Sequence, residues 1–374
     1  MLISNDKLKS LAVSVGVDHI GIASTDPPLS LKNKLLQRLA EGRTTSFEEK
    51  DPVIRLSPDR LLAGCRSIIV MALPYQVHAH RQNPSLPELR GKVARCAQGV
   101  DYHTFIEQKA RQIIELIQRE AGSSFNYRIL ADRSPLVERE LAQNAGLGWI
   151  GKNCNLITLK YGSYTVIGTI LLDKEIHPDT AVARSCDDCD QCQRSCPTGA
   201  LGQPFLLDPN LCLSYLTQAS GVVPRELRQL LGNRLYGCDS CQEGCPHNET
   251  AECSPFSELA FSFFPDDAML IPLLRMTRRE FDLSIGITAA GWRGKTTIQR
   301  NAVIALGNSG DTAAVQPLSQ VLKNDSRPLL RLHAAWALGR IKNNKARNYL
   351  ESSMRMDPID PVREEAAFAL ENSN

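Results

Sequence analysis

Cys186-x2-Cys189-x2-Cys192-x3-Cys196-Pro197, then Cys212, then Cys238-x2-Cys241-x3-Cys245-Pro246 is the stretch on which the reading of this chain turns. Thiolates hold iron well. The x2 spacings let three sulfurs of one loop converge on one cluster, while the cysteine before proline reaches across to another. That rule assigns Cys186, Cys189, Cys192 and Cys245 to one 4Fe-4S cluster and Cys196, Cys212, Cys238 and Cys241 to a second. Cys212 lies far upstream of Cys238, so residues 197–237 form an insertion within a ferredoxin-like unit. Structural zinc also uses paired CxxC motifs, but eight cysteines with two Cys-Pro endings fit iron better. Disulfides are disfavoured because the cysteines are clustered and no apolar signal segment follows Met1. The expected compartment is the reducing cytoplasm, and the expected chemistry is single-electron transfer.

Outward from this stretch, 374 residues at 43% hydrophobic content can bury a core and divide into two or three domains. The best apolar run, Ile68 to Leu73, has strand length, and no membrane association is expected. Net charge is only +2, so overall balance does not announce a nucleic-acid binder. Local charge is more informative: Arg275, Arg278, Arg279, Arg293, Lys295 and Arg300 fall close together. Such runs are more often solvated helix surface than an RNA contact, and composition leaves both readings open.

Toward the C-terminus, Arg300-Asn-Ala-Val-Ile-Ala-Leu-Gly307, Leu332-His-Ala-Ala-Trp-Ala-Leu-Gly339 and Glu364-Glu-Ala-Ala-Phe-Ala-Leu370 place Leu306, Leu338 and Leu370 at equal steps of 32 (338 − 306 and 370 − 338). Stacked helical pairs of HEAT type are predicted, with alanines permitting close approach and leucines filling the seam. Pro317, Pro328, Pro358 and Pro361 punctuate the helices.

Before the cysteines the chain reads as alternating strands and helices. Ser67 to Tyr75, Tyr127 to Ala131 and Tyr164 to Leu172 are predicted strands, and Tyr102 to Glu120 an amphipathic helix. A further helix is expected to open at Pro135 behind a Ser134 cap and to close at Gly146. Gly146-Leu-Gly148-Trp-Ile-Gly151-Lys-Asn153 lacks phosphate-loop spacing and follows a helix, so NAD, FAD and ATP have no visible cradle.

Asp132-x-x-Pro135-Leu-Val-Glu138-Arg139, Ala145-Gly-Leu-Gly-Trp-Ile-Gly-Lys-Asn153, the two cysteine groups and Tyr236-Gly-Cys-Asp-Ser-Cys-Gln-Glu-Gly-Cys-Pro246 resemble the epoxyqueuosine reductases, from about Arg55 to the repeats. The resemblance implies the last step of queuosine synthesis, removal of the epoxide oxygen of epoxyqueuosine at the wobble position of a tRNA with a GUN anticodon. It also implies a base-off cobalamin, two 4Fe-4S clusters, an electron donor that the sequence does not identify, and a monomer. The expected fold is α+β: an α/β corrinoid-binding core over residues 1–175, a ferredoxin-like two-cluster domain over 176–255, and C-terminal α-helical HEAT-like repeats over 256–374.

Deoxygenating an epoxide to an alkene consumes two electrons and two protons, so an electron chain and a proton donor are both required. By resemblance Asp132 is the acid. It donates readily near neutral pH only if its pKa is raised, which burial would do and a neighbouring helix N-terminus would oppose. Arg55 and Cys96 match corrin-pocket positions, and Asn153, Leu156, Ile167, Ser214, Asp239 and Ser240 lie in the stretches that contact the corrin, where ordinary loop or core roles are equally expected. Asp101-Tyr-His103-Thr-Phe-Ile106 lacks the glycine of the Asp-x-His-x-x-Gly motif that replaces cobalt's lower base, hence the base-off expectation. Two departures from the family pattern are Arg133-Ser134 after Asp132 and His247 after Pro246; Arg133 is expected to pair with the acid or to face the tRNA backbone. The basic set from Arg275 to Arg300 is expected to grip the anticodon stem, and Arg225, Arg228 and Arg234 to be solvated surface. A corrinoid reductase acting on a small molecule, like a reductive dehalogenase, and a non-catalytic electron-transfer module are the alternatives.

Overall fold

The structure, a computed structural model, describes residues 2–76, 89–260, 262–265 and 267–372. Its strands are β1 (Ile20–Ala23), β2 (Ser67–Pro74), β3 (Arg90–Val93), β4 (Tyr127–Ala131), β5 (Trp149–Ile150), β6 (Leu156–Ile157), β7 (Thr165–Leu172), β8 (Arg234–Tyr236) and β9 (Ala268–Met269). By compactness the chain forms two units that interleave in sequence. One comprises Met1–His78, Val100–Asn210 and Ser240–Phe261; the other comprises Ala79–Gly99, Leu211–Asp239 and Ser262–Asn374.

In the first unit every residue of β2 is buried, as its unbroken apolar run predicts. A strand buried on both faces belongs at the centre of a sheet, and the order is β1-β2-β7-β4. All three pairings are antiparallel, so the α/β-looking region is built on an antiparallel sheet. The amphipathic helix Tyr102–Ala121 packs on β4 and β7 through Phe105, Ile106, Ala110, Ile113, Ile114 and Ile117. Burying each large side chain of that row contributes roughly 1.5–3 kcal/mol. Gly168 permits the approach, since a Cβ there would stand 2.4 Å from Ile106 Cγ2.

The helix expected from Pro135 begins at Glu138 and runs to Asn144. Ser134 does not cap it; its hydroxyl accepts the Leu136 N–H within a local turn. The turn is enforced upstream, where Asp132 takes a left-handed backbone (φ 51°) at the end of β4. Asp tolerates that region better than most residues, at a cost of order 1 kcal/mol. Gly148 serves packing: a Cβ would lie 2.1 Å from the Ile157 carbonyl across the β5–β6 hairpin.

In the second unit β3 pairs in parallel with β8 and antiparallel with β9. The repeats are the helices Gly294–Ser309, Val315–Asn324, Pro328–Arg340, Asn344–Met356 and Asp360–Glu371. Leu306 and Leu338 are buried and Leu370 half-buried, in keeping with the 32-residue step. The glycine after each of the first two leucines has its own reason. A Cβ on Gly307 would meet Ala337 Cα at 2.7 Å, and one on Gly339 would meet Ala369 Cβ at 2.7 Å, so each repeat presents a smooth face to the alanines of the next. Pro328 and Pro361 occupy first-turn positions, where the missing N–H is harmless.

Candidate redox and proton-transfer site

The first cysteine set is brought together within the first unit. Cys186 packs with Cys245 beside Trp149 and Ile157, and Cys192 and Cys245 are buried. Burial and the proximity of Cys186, Cys245 and Cys189 push the Cys192 thiol up to about 11. Four thiols that repel one another's ionisation are a donor set that suits iron, whose charge removes the repulsion. At Cys196 burial raises the thiol, but N–H groups of Thr198, Leu201 and Ala200 and the Thr198 hydroxyl outweigh it and lower the thiol below its usual value. Such amide nests stabilise cluster thiolates. Of the second set, Cys196 and Cys241 belong to the first unit and Cys212 and Cys238 to the second. Among the described residues no three His, Cys, Asp or Glu side chains form a single-ion site.

A second constellation lies at the end of β4. Tyr102 donates its hydroxyl to Asp132 Oδ2 at 2.5 Å, and His103 Nε2 stands 3.7 Å from the same oxygen, an ion-pair separation. His103 Nδ1 meets Asp101 Oδ1 at 2.5 Å, and the Tyr102 and His103 rings stack at 4.2 Å. Glu138 Oε1 accepts the Asp132 backbone N–H at 3.2 Å. The Asp132 side chain keeps 58% of its accessible surface, so it is only partly dehydrated. Desolvation pushes its carboxyl up, but hydrogen bonding from His103 and Tyr102 and the charges of His103 and Arg139 outweigh this and hold it below the usual range. Burial depresses His103, but Asp101 and Asp132 overcome it and push the imidazole up to about 9. Desolvation and the Asp132 charge push Glu138 up to about 8.

The downward pull on Asp132 thus comes from a histidine and a tyrosine rather than from a helix N-terminus. Arg133 is exposed, and its positive charge is felt by Asp101. Asp101 and His103 were legible in sequence only as a defective cobalt-ligand motif. Asp101 in fact caps the Tyr102–Ala121 helix through the His103 N–H while orienting the ring. The missed signal was the coincidence of a helix cap with a histidine two residues on. His247 packs edge-on against Trp149.

The predicted corrin contacts divide by unit: Arg55, Asn153, Leu156, Ile167 and Ser240 lie with Asp132 in the first, and Cys96, Ser214 and Asp239 in the second. Asn153 is buried, its Oδ1 accepts the Asn155 N–H, and its Nδ2 has no partner. Arg55 pairs with Glu48 at 2.6 Å, and its Nε is buried without a partner. Buried donors left unpaired are costly, so both fit an amide-rich cofactor that offers acceptors. Leu156 is part of the hydrophobic core with Leu136 and Ala145, and Ile167 packs against it. In the second unit the β3–β8 pairing carries Cys96 toward Asp239, whose Oδ2 accepts the Arg95 N–H at 2.8 Å.

The basic set does not act as one surface. Arg300 is 1% exposed and donates to the carbonyls of Leu216, Thr217, Ala219 and Gly221 and to Asn301 Oδ1. It therefore cannot meet a phosphate, which corrects the sequence expectation. Arg293 and Lys295 are half-buried and donate to the Gln218 and Met276 carbonyls. Arg275, Arg278 and Arg279 are exposed. Arg228, expected on the surface, is 1% exposed and, with Arg225, clasps buried Glu365.

A gathered cysteine set and a carboxylate–imidazole–phenol cluster within one compact unit are the equipment of an iron–sulfur oxidoreductase. Residues 185–248 match a 4Fe-4S double cluster binding domain, residues 294–371 match HEAT repeats, and residues 55–133 match Epoxyqueuosine reductase QueG, DUF1730. An epoxyqueuosine reductase of Bacillus anthracis is 36% identical over 365 residues, covering 96% of this chain and 94% of its own. A crystal structure of epoxyqueuosine reductase with a tRNA-Tyr epoxyqueuosine-modified tRNA stem loop superposes with a TM-score of 0.94 at 34% identity, covering 98% of each chain. A Bacillus subtilis epoxyqueuosine reductase whose catalytic aspartate loop is swung out of the active site superposes with a TM-score of 0.93 at 34% identity, again over 98% of each. The chain belongs to the epoxyqueuosine reductase family.

Proposed function

We propose that this chain binds tRNA carrying epoxyqueuosine at the wobble position of a GUN anticodon and deoxygenates it to queuosine with two electrons and two protons. The observation that carries the reading is the Asp132 carboxylate, gripped by Tyr102 and faced by His103, in the same compact unit as the Cys186, Cys189, Cys192 and Cys245 thiols. The cofactors are two 4Fe-4S clusters, the second held by Cys196, Cys212, Cys238 and Cys241, and a base-off cobalamin. Arg55, Cys96, Asn153, Leu156, Ile167, Ser214, Asp239 and Ser240 would hold the corrin, Asn153 and Arg55 through their unpaired N–H groups. When bound, the corrinoid supplies low-valent cobalt able to reduce the strained ring. The chain's own part is to pass electrons from a partner donor along the clusters, to position the epoxide, and to deliver protons to the leaving oxygen through Asp132, so that ring opening and deoxygenation release water. Residues 1–175 would carry the corrinoid, 176–255 the clusters and 256–374 the repeats. Among the described residues no helix is long and apolar enough to cross a membrane; we place the enzyme in the cytoplasm as a monomer.

Anaerobic reconstitution with iron, sulfide and cobalamin, followed by reduction in the presence of epoxyqueuosine-containing tRNA, is expected to remove one oxygen mass from the nucleoside, and only when cobalamin is supplied. Bound corrinoid with untouched tRNA would instead point to a small-molecule substrate. Cys186→Ser is expected to lower the iron and sulfide content to about half, because one of two clusters loses a ligand; unchanged iron would sink the ligand assignment.

For tRNA, exposed Arg275, Arg278 and Arg279 are the proposed phosphate contacts, with Arg293 and Lys295 at their margin. Arg278→Glu with Arg279→Glu is expected to weaken tRNA binding and to reduce the log–log salt slope by roughly one to two. An unchanged slope would exclude the short helix Arg278–Leu283 from the interface.

A further inference from the structure

We propose that His103 is the proton store of the reaction, a positioning residue that recharges Asp132 and is itself aligned by Asp101. The inference rests on Asp132 being the acid that faces the epoxide. Asp132 carries a chemical conflict: its surroundings keep it ionised, yet it must give protons away. Two protons are needed for each epoxide, and a single carboxyl holds one.

The geometry resolves the conflict. His103 lies between two carboxylates, with Nδ1 on Asp101 at 2.5 Å and Nε2 facing Asp132 Oδ2 at 3.7 Å. That arrangement fixes which nitrogen points at Asp132, the way a buried carboxylate orients a catalytic imidazole. Catalytic hydrogen bonds are often long before substrate binds, and a small ring rotation would close this gap. Tyr102, stacked on His103, donates to the same oxygen and so holds Oδ2 where the imidazolium can reach it.

The site favours a charged ring. A cation in the first turn of a helix is disfavoured, yet Asp101 and Asp132 outweigh that and burial together, and His103 titrates only at about 9. The other titratable and charged groups around it are Tyr102 on its own helix, Arg133 in the Asp132 turn, and Glu138 and Arg139 at the start of the helix packed beside that turn.

The balance closes with two electrons from the iron–sulfur chain. His103 hands its proton to the ionised Asp132, which passes it to the epoxide oxygen as the first C–O bond breaks, giving a hydroxyl, and His103 takes a first replacement proton from solvent. The Asp132 carboxylate takes the His103 proton and delivers it to the same oxygen, which leaves as water. His103, now neutral, is reprotonated from solvent. An alkene, water, ionised Asp132 and the restored imidazolium remain.

The test combines a titration with a pH profile on the reconstituted holoenzyme. In histidine-selective 13C NMR, one of the seven histidines should show a midpoint near 9, vanish in His103→Gln, and fall toward the ordinary value in Asp101→Asn. Single-turnover reduction of epoxyqueuosine-containing tRNA should hold steady in wild type until pH rises through that midpoint. His103→Gln should be roughly 10–100-fold slower at pH 8, with the deficit shrinking toward pH 6 as solvent protonates Asp132 directly. Added imidazole should restore His103→Gly. An ordinary midpoint, a His103→Gln profile that tracks wild type, or a loss equal at every pH would overturn the relay. Asp132→Asn separates the two ideas: if it is inactive while His103→Gln matches wild type, the relay alone fails; if it turns over normally, the acid assignment falls and the relay with it.

Discussion

Asp132→Asn should retain both clusters and corrinoid binding and lose roughly 10²–10⁴-fold in single-turnover formation of queuosine, the range that general acid catalysis supplies. Asparagine preserves the shape of the carboxylate and tolerates the left-handed backbone at this turn (φ 51°). It can still accept from the Tyr102 hydroxyl, and the backbone N–H can still reach Glu138. What it loses is the transferable proton and the charge facing His103. The loss should fall on the chemical step, with tRNA affinity little changed. His103 should titrate lower in this variant, because one of its two carboxylate partners becomes neutral. His103 titrates above its ordinary value in the native protein, so its pairing contributes stability below the unfolded pKa and loses it as pH rises through about 9. Asp132 is shifted in the opposite direction, and its share is present at neutral pH and lost as pH falls through its depressed pKa. Near-normal product formation, read by nucleoside mass, would remove Asp132 from the mechanism.

Arg300→Met should destabilise the second unit so far that soluble yield falls and the thermal transition drops by roughly 10 °C. The native guanidinium is 1% exposed and serves four backbone carbonyls between Leu216 and Gly221 as well as the Asn301 side chain. Burial and the nearby Arg293 charge depress Arg300 to about 10, so it stays protonated at neutral pH. Methionine matches the length of the stem but leaves these acceptors buried without donors, at about 1–3 kcal/mol each. Even partial rearrangement leaves several kcal/mol against a total domain stability of about 5–15 kcal/mol. Arg300→Lys keeps the charge but cannot span the acceptors and should fall between the two. A methionine variant that melts with wild type would show that the 216–221 segment is held by other contacts.

The same residue shows where sequence reading stopped. Arg300, Arg228 and the exposed Arg278 are indistinguishable as letters, and a run of arginines reads as surface. Which one is buried depends on the segment folded over it, here residues 216–221 and Glu365, both remote in sequence. Cysteine spacing escaped this ambiguity because cluster ligation is a local geometric demand, and the repeat step escaped it because neighbouring repeats impose one rule three times. The start of the Glu138–Asn144 helix was misplaced for a local reason: a left-handed Asp132 and the Ser134 turn delay it.

By itself the sequence determined the two-cluster thiolate pattern, the helical repeats and the buried β2 strand, all of which follow from residue type at short, fixed spacing, while Asp132 stood out as a candidate acid only through the resemblance of its motif to a family. Only the tertiary structure decided that the core sheet is antiparallel, that Arg300 and Arg228 are internal, and that Tyr102, His103, Asp101 and Glu138 surround Asp132. Strand direction, burial and the pKa of a carboxyl depend on groups tens of residues away, and the folded chain alone brings them within a few ångströms of one another.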